Sequence, residues 1–119
     1  MKIAFSTSGE DVNAPMDRRF GRAAKFLIYD LENGTFTVID NIQNLNAAQG
    51  AGIQSAETVV RSGAQALVTA HCGPKAFRVL SAAGVAVYNS DSETVVEALE
   101  QFKAGRLNPL QQADVEGHW

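Results

Sequence analysis

Residues 66–88 read ALVTAHCGPKAFRVLSAAGVAVY, and this stretch decides the class of fold. Ala66–Ala70 and Val85–Tyr88 are short, mainly apolar runs that predict two buried strands. Between them, Pro74 can occupy the first position of a helix, and Gly84 can end that helix. A strand–helix–strand unit of this kind joins parallel strands by a right-handed crossover. The stretch therefore predicts an α/β protein.

Two further helices are predicted on either side of this unit. Residues 51–62 carry apolar side chains on one helical face, and Gly63 follows as a typical C-terminal cap. The stretch Ser90–Glu93 has the form of a capping box, so we predict a third helix from there to about Ala104. Each of these helices can cover a sheet with its apolar face.

The first forty residues predict the antiparallel part of the sheet. Lys2–Thr7 alternates apolar and polar side chains, as a half-buried strand does. Phe26–Leu31 and Phe36–Asn41 flank Asn33-Gly34, a dipeptide typical of the type I′ turn in a hairpin. The element order is therefore β-β-β-α-β-α-β-α. This order predicts an α/β domain with a five-stranded mixed sheet, helices on its faces and a ribonuclease H-like topology.

Length and composition limit the number of domains and the class of partner. A chain of 119 residues forms one domain, which we place at residues 1–104. Residues 105–119 show no apolar period and are predicted to be a disordered tail. The chain has 10 Lys and Arg residues against 13 Asp and Glu residues, a net charge of -3. This balance excludes the broad basic surface that a nucleic-acid-binding protein needs.

Compartment and assembly state are also predicted from the composition. No apolar run reaches the ~20 residues of a membrane span, and the first residues lack the apolar segment of a signal peptide, which predicts a cytoplasmic protein. A single cysteine cannot form an internal disulfide, in keeping with a reducing compartment. One cysteine and two histidines also cannot fill a closed zinc site. We expect the protein to be a monomer.

The stretch His71-Cys72-Gly73-Pro74-Lys75 is the sharpest candidate site. It follows a predicted parallel strand and begins a helix, and ligands of open α/β sheets bind at such strand ends. Free N–H groups at the start of a helix favour anions. A thiolate is a soft metal ligand, so Cys72 is a candidate for metal binding. The same pattern also fits a tight strand-to-helix turn that buries a small cysteine.

Two other loops are candidates for the same site. Residues 18–25 hold three arginines and Lys25, and residues 19–22 combine guanidinium charge with a glycine that permits close backbone approach; a solvated loop is the alternative. Residues 46–52 offer two more glycines before a helix, but they lack the lysine of a Walker A loop, so nucleotide binding is not expected. The candidate binding residues of these loops are Arg19, Phe20, Gly21, Arg22, Gly50 and Gly52.

Several enzyme classes lack the residues that they need. Cys72 and Arg78 match the Cys-x5-Arg spacing of cysteine phosphatases, but Pro74 removes a backbone N–H from the loop that would cradle phosphate. There is no Gly-x-Ser-x-Gly elbow, and the first strand has no acidic residue for two-metal nuclease chemistry. We therefore expect a binding protein rather than an enzyme. A cysteine-dependent enzyme using Cys72 and a metal-free anion-binding or interaction module are the alternatives.

Four short motifs follow one another along the chain: MKIAFST at 1–7, RFGRA at 19–23, GAG at 50–52 and CGPKAF at 72–77. Together they resemble the dinitrogenase iron–molybdenum cofactor-binding family over about residues 1–104. The resemblance implies a ribonuclease H-like fold without nuclease activity and non-covalent carriage of a preassembled anionic metal–sulfur cluster.

The resemblance also implies the ligand and a class of partner. The implied cluster is a molybdenum–copper sulfide, with an iron–molybdenum cofactor-like cluster as the alternative, and the implied partners are P-loop ATPases. Many members of the family have histidine before Phe-Gly-Arg, where this chain has Arg19. This difference favours charge neutralisation over metal ligation by the arginine loop.

Overall fold

The computed structural model describes residues 1–41 and 51–111. Its strands are β1 (Lys2–Thr7), β2 (Lys25–Asp30), β3 (Thr35–Asp40), β4 (Ala66–Thr69) and β5 (Ala86–Asn89). Its helices are α1 (Ala51–Arg61), α2 (Pro74–Ala82) and α3 (Val95–Lys103), and a single 3-10 turn spans Phe20–Arg22. This order of strands and α-helices confirms the predicted β-β-β-α-β-α-β-α sequence of elements.

The five strands form one mixed sheet in the order β3-β2-β1-β4-β5. β2 is antiparallel to both β1 and β3, with Ile3 of β1 opposite Tyr29 of β2. β4 is parallel to both β1 and β5, with Val68 of β4 opposite Tyr88 of β5. The predicted mixed sheet is therefore confirmed. Because β1, β4 and β5 are parallel, their carboxyl ends lie at the same edge of the sheet.

Separate apolar clusters cover the two faces of the sheet, because side chains alternate along each strand. One cluster packs α1 and α2 against strand residues such as Phe26 and Leu67. The other packs α3, through Leu99, against Phe5 and Leu27. Helices thus cover both faces, as predicted. Among the described helices, of which α1 with 11 residues is the longest, none has the length and apolar character to cross a membrane.

The hairpin between β2 and β3 differs from its prediction. Four residues, 31–34, connect the two strands. Gly34 has a φ of 69°, but no described residue other than glycine has a positive φ. A type I′ turn needs positive φ at both central positions, so the predicted turn is wrong. The carboxylate of Asp30 stabilises the observed turn, because it accepts hydrogen bonds from the backbone N–H groups of Glu32 (2.9 Å) and Asn33 (3.3 Å).

Helix α3 begins later than predicted. Thr94 is its N-cap residue, and the Thr94 hydroxyl oxygen accepts a hydrogen bond from the Glu97 N–H at 3.3 Å. The predicted capping box at Ser90–Glu93 is therefore wrong. The loop after β1 keeps the chain extended at this point, since the N–H of Met16 donates to the Glu93 carbonyl at 2.8 Å.

The segment after α3 contacts the sheet, although it belongs to the tail that was predicted to be disordered. The N–H of Leu110 donates to the Val87 carbonyl at 2.7 Å, and Pro109 forms a bridge with Tyr88. Leu107 packs against the apolar cluster beneath α3. β5 is an edge strand, so its outer backbone groups are open to such pairing. Residues 106–110 thus contact the domain in this structure, and residues 112–119 of the predicted tail lie outside the described residues.

Candidate functional site

Two of the three predicted loops meet at the carboxyl edge of the sheet. The N–H of His71 donates to the Arg18 carbonyl at 3.0 Å, and the N–H of Phe20 donates to the His71 carbonyl at 3.2 Å. Arg19 and His71 thereby form a short parallel bridge. The structure thus brings the arginine loop against the turn that begins at His71, as the sequence predicted.

Buried hydroxyl groups fix the arginine loop to the end of β1. Ser6 Oγ lies 2.8 Å from the Asp17 carbonyl oxygen and 2.8 Å from Thr69 Oγ1 of β4. Thr7 Oγ1 donates a hydrogen bond to the Pro15 carbonyl at 2.7 Å. All three hydroxyl-bearing residues are fully buried, so these bonds form in a region of low dielectric constant. The loop is therefore held by side chains as well as by its backbone.

Gly9 allows the same loop to fold back on itself. A Cβ atom at position 9 would clash with Cβ of Ala14, a side chain too short to move aside. The N–H of Gly9 also donates to Thr7 Oγ1 at 3.2 Å. Glycine permits this close approach because it has no side chain.

Two predicted site residues belong to the core. Phe20 is fully buried, and its ring lies 5.3 Å from the ring of Phe26 in β2, measured between centroids. Cys72 is fully buried in the same apolar cluster, with Sγ 3.7 Å from the Gly73 carbonyl oxygen. These two side chains anchor the two loops to the sheet. The thiol has no exposed surface in this arrangement, which matches the alternative of a small buried cysteine.

The start of α1, which includes Gly52 of the third predicted loop, lies near the arginine loop. Asn41 Nδ2 donates to Ser55 Oγ at 2.9 Å, and Ser55 Oγ lies 3.5 Å from the Gly21 carbonyl oxygen. Gly21 and Gly52 are both buried. Gly50 lies outside the described residues. The start of α1 is therefore close to the 3-10 turn of the arginine loop.

The other predicted site residues differ in their exposure. Arg19 and Lys75 are exposed, Arg22 and Pro74 are half-buried, and Gly73 is buried. The backbone N–H of Arg19 donates to Asp17 Oδ1 at 3.2 Å, which fixes the backbone while the side chain stays at the surface. Arg19 and Lys75 therefore place cationic side chains at the surface of the two loops.

One cation near the arginine loop is already neutralised. Lys25 Nζ lies 2.7 Å from Oε1 of Glu10. This hydrogen bond raises the pKa of the Lys25 amine and lowers the pKa of the Glu10 carboxyl. Lys25 consequently offers little charge to an anionic ligand.

A cleft opens beside these loops at the carboxyl ends of β4 and β5. Its volume is about 440 Å³, which is within the range of small-molecule sites. Ligands of open α/β sheets bind at this edge. The cleft is lined by Arg18, Ala70, His71, Asn89, Ser90, Asp91, Gln101, Arg106 and Leu107. His71 is the predicted site residue among them.

Two guanidinium groups give the cleft its positive charge. Arg18 and Arg106 are exposed, and neither takes part in an ion pair with any other described residue. Asn89 adds an amide to the lining, and Asp91 adds a carboxylate. Guanidinium and amide donors suit an anion that accepts several hydrogen bonds. Within residues 1–41 and 51–111, no three His, Cys, Asp or Glu side chains are grouped so that they could hold a metal ion.

The sequence alone did not indicate most of the cleft. Asn89 ends a parallel strand, so the rule that selected His71 could also have selected Asn89. Arg18 was recognised as part of the basic loop but was not predicted to bind. Nothing in the sequence marked Arg106 as a binding residue, because it lies in the segment that was predicted to be disordered.

The chain matches the sequence profile of one family over most of its length. The sequence profile of the family described as dinitrogenase iron-molybdenum cofactor matches residues 1–105, which is most of the chain. The chain therefore belongs to this family, as its motifs predicted.

Individual relatives resemble this chain over almost its full length, and two of them are solved structures with the same fold. The apo form of the orange protein from Desulfovibrio gigas has 34% sequence identity, a TM-score of 0.93 and 96% coverage of both chains. A Thermotoga protein proposed to be NifB has 36% identity, a TM-score of 0.84 and 98% coverage of both chains. An uncharacterized protein from Methanocaldococcus jannaschii is 31% identical over 113 residues, which cover 93% of this chain and 92% of that protein.

Proposed function

We propose that this protein binds an anionic metal–sulfur cluster without covalent attachment and carries it. The observation that carries the proposal is the cleft at the carboxyl edge of the sheet, where Arg18 and Arg106 offer guanidinium groups that form no ion pair with described residues. Membership in a family described by the iron–molybdenum cofactor of dinitrogenase supports a metal–sulfur ligand.

The donors of the cleft suit a cluster that arrives already assembled. Guanidinium and amide N–H groups form charge-assisted hydrogen bonds with anionic acceptors. When sulfide ligands already saturate the metals, no protein thiolate is needed, and the burial of Cys72 agrees with this arrangement. The backbone hydrogen bond between Arg18 and His71 holds the lining in place before the ligand arrives, which lowers the entropic cost of binding.

The composition of the cluster is proposed from the family resemblance. We favour a molybdenum–copper sulfide cluster, with an iron–molybdenum cofactor-like cluster as the alternative. Carriage without catalysis is part of the same proposal, because a lining of cations and amides favours binding and release. P-loop ATPases as partners, a cytoplasmic location and a monomeric state belong to the proposal as well.

A ribonuclease H-like classification of the fold is also proposed. Its support is the strand order β3-β2-β1-β4-β5, in which β2 runs opposite to the other four strands of the described sheet. The parallel strands β1, β4 and β5 then direct their carboxyl ends toward the cleft. This placement connects the proposed fold class to the proposed site.

Two alternative functions make different demands on the same residues. A cysteine-dependent enzyme needs an accessible thiol, whereas the Cys72 side chain is fully buried. A metal-free anion-binding module needs only the two arginines of the cleft, so Arg18 and Arg106 favour this alternative as much as they favour a cluster. Cluster binding and metal-free anion binding therefore have to be distinguished by comparing the affinities for the two kinds of ligand.

Reconstitution distinguishes a cluster-binding protein from a metal-free anion-binding module. Apo-protein is mixed with tetrathiomolybdate and copper, passed through gel filtration, and measured for metal content and visible absorbance; inorganic phosphate is titrated in parallel. We expect a coloured complex of fixed stoichiometry that elutes with the protein and forms at far lower ligand concentration than the phosphate complex. Colour that elutes entirely with the small molecules contradicts the proposal. Equal affinity for phosphate supports the metal-free module.

A further inference from the structure

The segment after α3 (residues 106–110) is held at both of its ends. At its start, the backbone N–H of Arg106 donates to the Gln101 carbonyl at 3.0 Å. At its end, the N–H of Leu110 donates to the Val87 carbonyl of β5 at 2.7 Å. The backbone of Arg106 is therefore fixed between the last turn of α3 and the edge of the sheet.

Apolar contacts secure the same segment on both sides of the sheet. Leu107 packs against the cluster beneath α3, and Leu110 packs against the cluster beneath α1 and α2. Pro109 forms an antiparallel bridge with Tyr88 between them. These contacts make the segment part of the folded domain. The same contacts hold Arg106 beside the cleft.

Arg18 reaches the same cleft from a separate and equally fixed segment. Its carbonyl accepts the His71 N–H at 3.0 Å, and the N–H of the preceding Asp17 donates to the Ser6 carbonyl at 2.8 Å. Arg18 and Arg106 form no ion pair with described residues. Like charges in one cleft repel each other, and a bound anion relieves that repulsion.

We infer that Arg106 is a ligand-binding residue and that it forms with Arg18 a two-arginine clamp for the anionic cluster. The inference rests on the proposed function. The carboxylate of Asp91 also lines the cleft and repels anions, so both guanidinium groups are needed to leave the cleft with net positive charge. Leu110 is a positioning residue that acts through Arg106.

Titration of the variants with tetrathiomolybdate and copper tests the clamp. Arg106→Gln and Arg18→Gln are each expected to weaken binding about tenfold. The affinity of the wild-type protein should also fall more steeply with salt than that of either variant, because each variant has lost one screened charge. Arg61→Gln is the matched control: Arg61 is exposed at the end of α1, before the start of β4, and this variant should bind like the wild type.

A double-mutant cycle tests the positioning role of Leu110. Leu110→Ala and the milder Leu110→Val are expected to weaken cluster binding in the wild-type background and to have no effect in the Arg106→Gln background. Circular dichroism and the unfolding midpoint show which variants are folded. Weakening of equal size in both backgrounds overturns the positioning role.

The outcomes separate the clamp from the proposed function. A wild-type protein that binds the cluster while Arg106→Gln and Arg18→Gln titrate like Arg61→Gln overturns the clamp and leaves the proposed function intact. A wild-type protein that binds no cluster contradicts the proposed function and, with it, the clamp. Loss of binding in Arg61→Gln as large as in Arg106→Gln shows that only the total charge matters, and this result also overturns the clamp.

Discussion

The loops at the carboxyl edge have a closed side and an open side. The closed side, formed by Phe20, Gly21 and Cys72, is buried against the sheet and α1. The open side, formed by Arg18 and His71, lines the cleft. His71 and Cys72 are neighbours in the chain, yet they lie on different sides. Several residues of the recognisable motifs are therefore buried beneath the candidate site, whereas other residues line its surface.

Phe20→Ala breaks the closed side and has the largest expected effect. Phe20 is fully buried against Phe26, and truncation of a buried aromatic side chain costs about 3–5 kcal/mol of unfolding free energy. Urea unfolding measures this loss. Arg19→Ala, at the exposed neighbouring position, should stay within about 0.5 kcal/mol of the wild type. Equal losses in the two variants would contradict the distinction between the two sides.

Gly9→Ala strains the loop that carries Arg18 to the open side. The added methyl group would clash with Cβ of Ala14, and overpacking of this kind costs about 1–3 kcal/mol. The second substitution Ala14→Gly removes the opposing methyl group, so it should restore part of the stability in the double variant. Thermal unfolding of the two single variants and the double variant gives the coupling. Purely additive effects would show that space at position 9 is not limiting.

Substitution of Cys72 sharpens the comparison, because stability and binding should respond differently. Cys72→Ser places a hydroxyl group in an apolar cluster, which costs about 1–3 kcal/mol. Cluster affinity should stay within about twofold of the wild type, a change worth less than 1 kcal/mol. Cys72→Ala tests whether the stability loss comes from the buried hydroxyl group. A folded Cys72→Ser variant that no longer binds the cluster would show that the thiolate is a metal ligand.

The Glu10–Lys25 pair lies outside the cleft and gives the smallest expected effect. Its hydrogen bond lowers the pKa of Glu10, so the pair stabilises the fold above the ordinary glutamate pKa. This contribution disappears as the pH falls through the lowered pKa of the folded state.

Because the same bond raises the pKa of Lys25, the contribution also disappears as the pH rises through that raised value. Urea midpoints of the wild type and Glu10→Gln should therefore differ near neutral pH and converge in strong acid. A difference that does not change with pH would contradict this assignment. Cluster affinity at neutral pH should be the same for the two proteins.

The element order was predictable from the sequence because each element is marked locally. The apolar runs of β4 and β5, together with Pro74 and Gly84, indicate a parallel unit without reference to the rest of the chain. The errors occur where distant contacts decide the local structure. The start of α3 depends on the bond between Met16 and Glu93, and the docking of Leu110 depends on the free edge of β5.

The site was predictable in position but only partly in composition. The rule that ligands bind at the carboxyl ends of parallel strands selected His71, and His71 lines the candidate cleft. Burial could not be read from the motif, because the depth of Phe20 and Cys72 is set by packing within the apolar cluster beneath α1 and α2. The position of Arg106 beside the cleft could not be predicted either, since it depends on the contacts of Leu107 and Leu110 with the two apolar clusters.

The position of the metal within the reconstituted protein tests the central claim most directly. Crystals of the protein loaded with molybdenum, copper and sulfide can be measured by anomalous diffraction at the copper and molybdenum edges. We expect peaks in the cleft between the guanidinium groups of Arg18 and Arg106, with Cys72 still buried. Peaks bonded to Cys72 Sγ, or located beside Lys75 at the start of α2 with the cleft empty, would contradict this expectation.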